Sequence, residues 1–291
     1  MLYWIYDIPT FVLGALVLII FVAGAWLTTL ALRSFVRTRL HAKRSANDLI
    51  AATFSSFAVL YGLLLGLLAV GAYENFAHVD DGVSREAASL TVLYHLVSSY
   101  PAPIRDELRG DIAAYTLDTI DKVWPLQEKG LVPPENQRRL STLYADLLSF
   151  KPHDPGETVT HAETLRTLNQ YAELRRARLV NVRHGLPTIL WYVVAIGAVI
   201  AIVFVSLFDM EIQVHLVLGA LFAAFLGMTI FLIAAMDHPF QGGVSVSSDA
   251  LANAYNSVMK PGSAEQPLNP TPGSEGSAGR RLGAALGPPH G

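Results

Sequence analysis

The chain has 291 residues, of which 52% are hydrophobic and only 15% charged, with a formal net charge of -3. Soluble domains carry about 25% charged residues, so this deficit points to a membrane protein. The small net charge and the lack of a basic, aromatic-rich patch predict no nucleic-acid partner. The chain has no cysteine, which excludes disulfides, thiol catalysis and Cys-based metal sites.

Four apolar stretches organise the chain: Ile8–Leu32, Leu49–Tyr73, Leu186–Phe208 and Val214–Met236. Each is long enough for a helix to cross a hydrocarbon core about 30 Å thick. The backbone must satisfy its own hydrogen bonds in lipid, so each is read as a helix. The expected fold is an all-α integral membrane protein, with four transmembrane helices in two pairs and a helical-bundle extramembrane module between the second and third. The boundaries predicted are 1–73 for the first pair, 74–185 for the module and 186–236 for the second hairpin. A post-membrane turn with a short amphipathic helix follows over 237–260, and a disordered tail over 261–291.

An aromatic lead of Tyr3, Trp4 and Tyr6 precedes the first span, and such rings favour the headgroup level. Pro9 suits a first helical turn. The span lacks a basic segment before it and has basic residues after it, so it reads as a retained anchor and not a cleaved signal. Arg33, Arg37, Arg39, Lys43 and Arg44 form the loop that follows, and Asn47-Asp48 is a cap for the second helix. In that helix Gly62, Gly66 and Gly71 permit close helix approach, either within one subunit or between subunits. Thr53, Ser56 and Tyr61 add polarity and are candidates for helix packing or pore lining. Membrane hydroxyls usually bond back to their own helix, which is the plainer role for them.

The module reads as four amphipathic helices. Phe76, Val79, Val83, Ala87, Leu90, Tyr94 and Val97 recur at three- and four-residue steps, so the second span continues outward as a helix. Pro101 and Pro103 end it. Ile104 to Ile120 carries the next helix, ended by Trp124-Pro125, and a third starts at Pro133-Pro134. A fourth runs from about Glu157 to Leu179. Residues 209–213 are too short for anything but a hairpin between the last two spans. A short amphipathic helix then presents Leu251, Tyr255, Val258 and Met259.

No catalytic motif is present, so no enzyme activity and no cofactor are predicted. Asp118 and Asp121 share a helix face and read as solvated acids. His153, Asp154 and His161 match no metal-ligand spacing. Arg175, Arg176, Arg178 and Arg183 are the main electrostatic feature, with two readings: contact with lipid headgroup phosphates, or a cationic vestibule that concentrates anions. Glu86 on the facing helix offers a partner for one of them. The spans contain no Lys, Arg, Asp or Glu, which argues against proton or ion-coupled transport but not against an anion channel.

Several motifs resemble the bacterial bestrophin-like domain family. They are Tyr73-Glu74-Asn75-Phe76, Glu86-Ala87, Trp124-Pro125, and Leu168-Asn169 followed by Arg175-Arg176-x-Arg178. Leu186-Pro187-x-x-x-Trp191 and His238-Pro239-Phe240-x-Gly242 complete the set. The resemblance covers about residues 1–260. Family-motif residues of unassigned role are therefore Glu86, Trp124, Pro125, Asn169, Pro187, Trp191, Pro239, Phe240 and Gly242. The resemblance implies a homo-oligomer in the lipid bilayer, pentameric if bestrophin-like, conducting small chloride-type anions through a pore on its symmetry axis. The animal proteins' acidic calcium cluster has no counterpart here. The alternative is a non-conducting membrane-anchored protein whose module binds a protein or lipid partner. The expected location is a bacterial inner membrane. Positive-inside counting predicts an outward-facing module, whereas the resemblance implies a cytosolic one.

Overall fold

The computed structural model describes residues 10–40, 46–133, 135–182 and 185–261. The aromatic lead, Pro9, Lys43, Arg44, Pro134, Arg183 and the segment read as a tail lie outside them, Pro261 excepted. The described residues are helical, with no strand among them. Four helices have the length and hydropathy to cross a membrane.

α1 spans Thr10–Phe35 and ends in a π-turn at Val36–Leu40. α2 runs unbroken from Ala46 to Val97, 52 residues, or about 78 Å at roughly 1.5 Å per residue. The bilayer core takes less than half of that length, so one rigid rod serves both the membrane and the module. No Pro or helix-breaking pair interrupts it, and its apolar positions keep helical spacing throughout. α3 is Ile104–Asp118. The expected stop at Trp124-Pro125 is corrected: the chain passes through a π-turn at Thr119–Val123 into α4, Trp124–Gln127. Proline lacks the N–H of the helical ladder and crowds the preceding turn; the wider π-turn takes up that mismatch. Gly130, at φ 72°, closes the segment.

α5 is Glu135–Ser149 and α6 is Pro155–Asn181. At the start of α6 the Asp154 carboxylate accepts from Glu157 N (2.8 Å), and Glu157 accepts from His153 N (2.7 Å). Two orphan donors of the helix start are thereby satisfied reciprocally. This gives Asp154 a capping role, while His161 Nδ1 hydrogen-bonds the Tyr100 hydroxyl at 2.7 Å. α7 (Thr188–Ser206) and α8 (Ile212–Asp237) are the third and fourth spans. α9 is Asp249–Ala254, extended by a π-turn to Met259. It lays Leu251, Ala254 and Met259 into the module core.

The first two spans are consecutive but are not each other's main partners. α1 lies chiefly along α8, and α2 packs on α6, α8, α7 and α9. The contacts are made by small residues facing aromatic rings. A Cβ on Gly197 of α7 would stand 2.2 Å from Tyr61 Cε2, and one on Gly227 of α8 would stand 3.0 Å from Phe21. In the module, Leu93, Val97, Leu108, Ile112, Leu147 and Leu168 are buried to 1% exposure or less. They form one core shared by α2, α3, α5 and α6.

Candidate functional site

Of the motif residues, Glu86, Arg178, Trp124 and Phe240 meet in one buried cluster. Glu86 of α2 and Arg178 of α6 are both buried. Arg178 Nε donates to Glu86 Oε2 at 2.6 Å and Arg178 Nη2 to Glu86 Oε1 at 3.0 Å, a two-pronged ion pair. Its third nitrogen, Nη1, donates to Gln127 Oε1 of α4. Burial alone would lower the guanidinium pKa. The Glu86 charge and hydrogen bond outweigh it, so the pKa is raised and Arg178 stays charged. The guanidinium also lies over the Trp124 ring, 5.2 Å from its centre, in cation–π range. Tyr171 donates to the Tyr115 hydroxyl at 2.8 Å nearby, and burial pushes its pKa up. Ser89 Oγ, Trp124 Nε1 and Gln127 Nε2 are buried and have no hydrogen-bond partner among the described residues; internal water commonly serves such atoms.

Trp124 meets Phe240 edge-on, with ring centres 5.7 Å apart. Phe240 is 1% exposed. It is held by a turn in which Val246 N donates to Pro239 O (2.7 Å) and Gly242 takes φ 84°, a left-handed conformation that favours glycine. One residue before this motif, the Asp237 carboxylate accepts from Leu186 N and from Trp191 Nε1 (3.1 Å). It therefore ties the end of α8 to the start of α7. Gly185 must pass so close to His238 that a Cβ there would stand 2.7 Å from the imidazole. A continuous set of contacts thus runs from α2 through Arg178, Trp124 and Phe240 to the bases of α7 and α8. Gln127, Tyr115 and Tyr171 are members that sequence reasoning missed, because nothing local along the chain links them to Arg178.

The arginine run does not act as a unit. Arg175 and Arg178 are buried and Arg176 is exposed, while Arg183 is outside the described residues. A vestibule of four surface arginines is corrected accordingly. At about 100° per residue, Arg176 and Arg178 point about 200° apart around α6, and Glu86 claims the second.

Tyr61 is also corrected as a pore-lining candidate. It is buried, donates to Val194 O of α7 at 2.7 Å and stacks on Phe57. Thr53 and Ser56 are exposed and bond back to Leu49 O and Ala52 O. A Cβ added at Gly62, Gly66 or Gly71 would meet nothing within 4 Å, so within the protomer these glycines face open space. With Ser56, Leu60, Leu63, Leu67 and Val70 they belong to an exposed face of α2. That face continues into the module as Glu74, His78, Asp81, Arg85, Ala88, Val92 and His95, all exposed. The steps of three and four keep it on one side of the rod. Asn169, also exposed, accepts from the Tyr144 hydroxyl at 2.9 Å. Pro125 and Pro187 are exposed at the starts of α4 and α7.

A family model described as the Bestrophin-like domain matches residues 19–251. The chain belongs to the bestrophin-like family. A crystal structure of a bacterial bestrophin homologue from Klebsiella pneumoniae, solved by Zn-SAD phasing, is similar at a TM-score of 0.61 and 13% identity. The match covers 87% of this chain and 99% of that one. A mutant of a bacterial bestrophin homologue from the same organism gives 0.61 and 13%, over 84% and 96%. At this identity the likeness is one of fold. No curated protein matches the chain.

Proposed function

We propose that the chain is one subunit of a homo-oligomeric ion channel, with its pore between the α2 helices of adjacent subunits around a symmetry axis. The observation that carries this reading is the exposed face of α2, which runs unbroken from Ser56 to His95 through membrane and module alike. A single protomer leaves that face uncovered and has no charged residue to line a path within its spans. Cyclic assembly would cover its flanks and leave its centre on the axis. The apolar stretch Leu60, Leu63, Leu67 and Val70 would then form a constriction that gates by dewetting. The bilayer and a second copy of the chain are the partners, five copies being the number the family resemblance supplies. A bacterial inner membrane is the location.

The permeant ion has two readings. The family resemblance supplies a chloride-type anion. The extramembrane part of the α2 face favours cations, because Glu74 and Asp81 are exposed there against Arg85, which is already paired with Asp81 at 2.6 Å. Purified protein should run as a discrete oligomer in mild detergent and, in liposomes, carry current whose reversal potential under a KCl gradient names the ion. A monomer, or an oligomer that carries no current under any gradient, would leave the anchored interaction module as the function.

A further inference from the structure

The arginines that the Glu86 network does not use line a cavity of their own. It has a volume of about 410 Å³ and lies between α5 and α6, walled by Ser141, Tyr144, Ala172, Arg175, Arg176 and Leu179. Tyr144 fastens the two helices just beyond it, bonding Asn169 and the Leu168 carbonyl. Positions 172, 175, 176 and 179 share one face of α6 by the three- and four-residue rule, which is why both guanidiniums reach the same space. Arg175 is 5% exposed and forms part of the inner wall, while Arg176 is exposed at the rim. No carboxylate is among the described residues that line it. Paired guanidiniums present planar, fork-like donors that match phosphate oxygens.

We propose that the α5–α6 cavity binds a phosphate group through Arg175 and Arg176, carried by a soluble anion or by a lipid headgroup. The site does not depend on conduction and would exist in a channel or in a non-conducting anchor. The test is thermal unfolding of the full chain in detergent, titrated with inorganic phosphate at constant ionic strength against chloride. A saturable rise in Tm is expected. Arg176→Gln, a change at an exposed position, should leave the phosphate-free Tm unchanged and weaken the apparent affinity about tenfold, the loss of one charge-assisted contact. Arg166→Gln, on the same helix but away from the cavity, should bind phosphate as the parent does. The proposal is overturned if neither free phosphate beyond chloride nor phosphatidylglycerol nanodiscs beyond phosphatidylcholine ones stabilise the chain, or if the two variants respond alike; stabilisation by the nanodiscs alone makes the ligand a lipid headgroup.

Discussion

The two halves of the molecule use apolar residues in opposite ways, and α2 passes through both. In the module, α2 turns Val83, Leu90, Leu93 and Val97 into a closed core and shows water Glu74, His78, Asp81 and Arg85. In the membrane half, the same helix exposes Leu60, Leu63, Leu67 and Val70 by 55% or more. Only 6% of the apolar window of α1 and 28% of that of α8 are buried within the protomer. Leucine gains little by leaving lipid for another helix, so the membrane half relies on close approach. Gly197 beneath Tyr61 and Gly227 beneath Phe21 supply it. The module relies instead on removing area from water, and it therefore tolerates one buried ion pair inside a dense apolar shell.

Substitutions in the two halves should separate these regimes. The largest effect is expected from Glu86→Ala, which leaves the Arg178 charge buried without its carboxylate. The module should lose about 3–5 kcal/mol in chemical unfolding. Adding Arg178→Met should restore part of that loss, and a double variant no better than the single would show that the pair is not what holds this junction. Leu93→Ala should cost about 2–5 kcal/mol, because a fully buried leucine leaves a cavity. Gly197→Ala should cost about 1–3 kcal/mol by pushing α7 off Tyr61, read as a lower unfolding temperature in detergent. Leu63→Ala, on the same helix as Leu93 but 61% exposed, should change protomer stability by no more than about 0.5 kcal/mol. If Leu63→Ala costs as much as Leu93→Ala, the outer face of α2 is packed in the assembled protein, and the loss should track dissociation of the oligomer.

The smallest expected effect is a pH dependence at Asp111 in α3. Burial, then the Asp146 charge, holds its carboxyl above the ordinary value of 3.8, with Arg139 opposing. The folded chain therefore binds this proton more tightly than the unfolded chain. Its contribution to stability is present below pH 3.8 and is lost as pH rises through the raised folded value. Asp111→Asn should flatten that part of the urea-midpoint profile, and an unchanged slope would assign it to another group.

Much of the architecture was legible because it depends on short-range periodicity. Hydrophobic length marks a span wherever the surroundings are lipid. The three- and four-residue steps from Phe76 to Val97 announced that the second span continues as helix, and the structure bears this out in α2. Trp124-Pro125 misled because a π-turn can carry a helix past a proline, and no local pattern announces one. The candidate site was legible only as a set of separate words. Trp124, Trp191, Phe240 and Gly242 were each visible, but their meeting around Arg178 and Asp237 joins residues far apart in the chain.

The sequence by itself determined where the four membrane helices lie, that a helical module stands between them, and that the chain belongs with the bestrophin-like proteins. Those properties follow from composition, period and motif order, which are local along the chain. Tertiary structure alone decided that Arg178 is buried against Glu86, that Arg175 and Arg176 share a cavity, that Tyr61 turns inward to Val194, and that α1 lies along α8. Which face of a helix meets which neighbour is settled by packing across long separations. Like residues two positions apart, as Arg176 and Arg178 are, point to nearly opposite sides of the same helix.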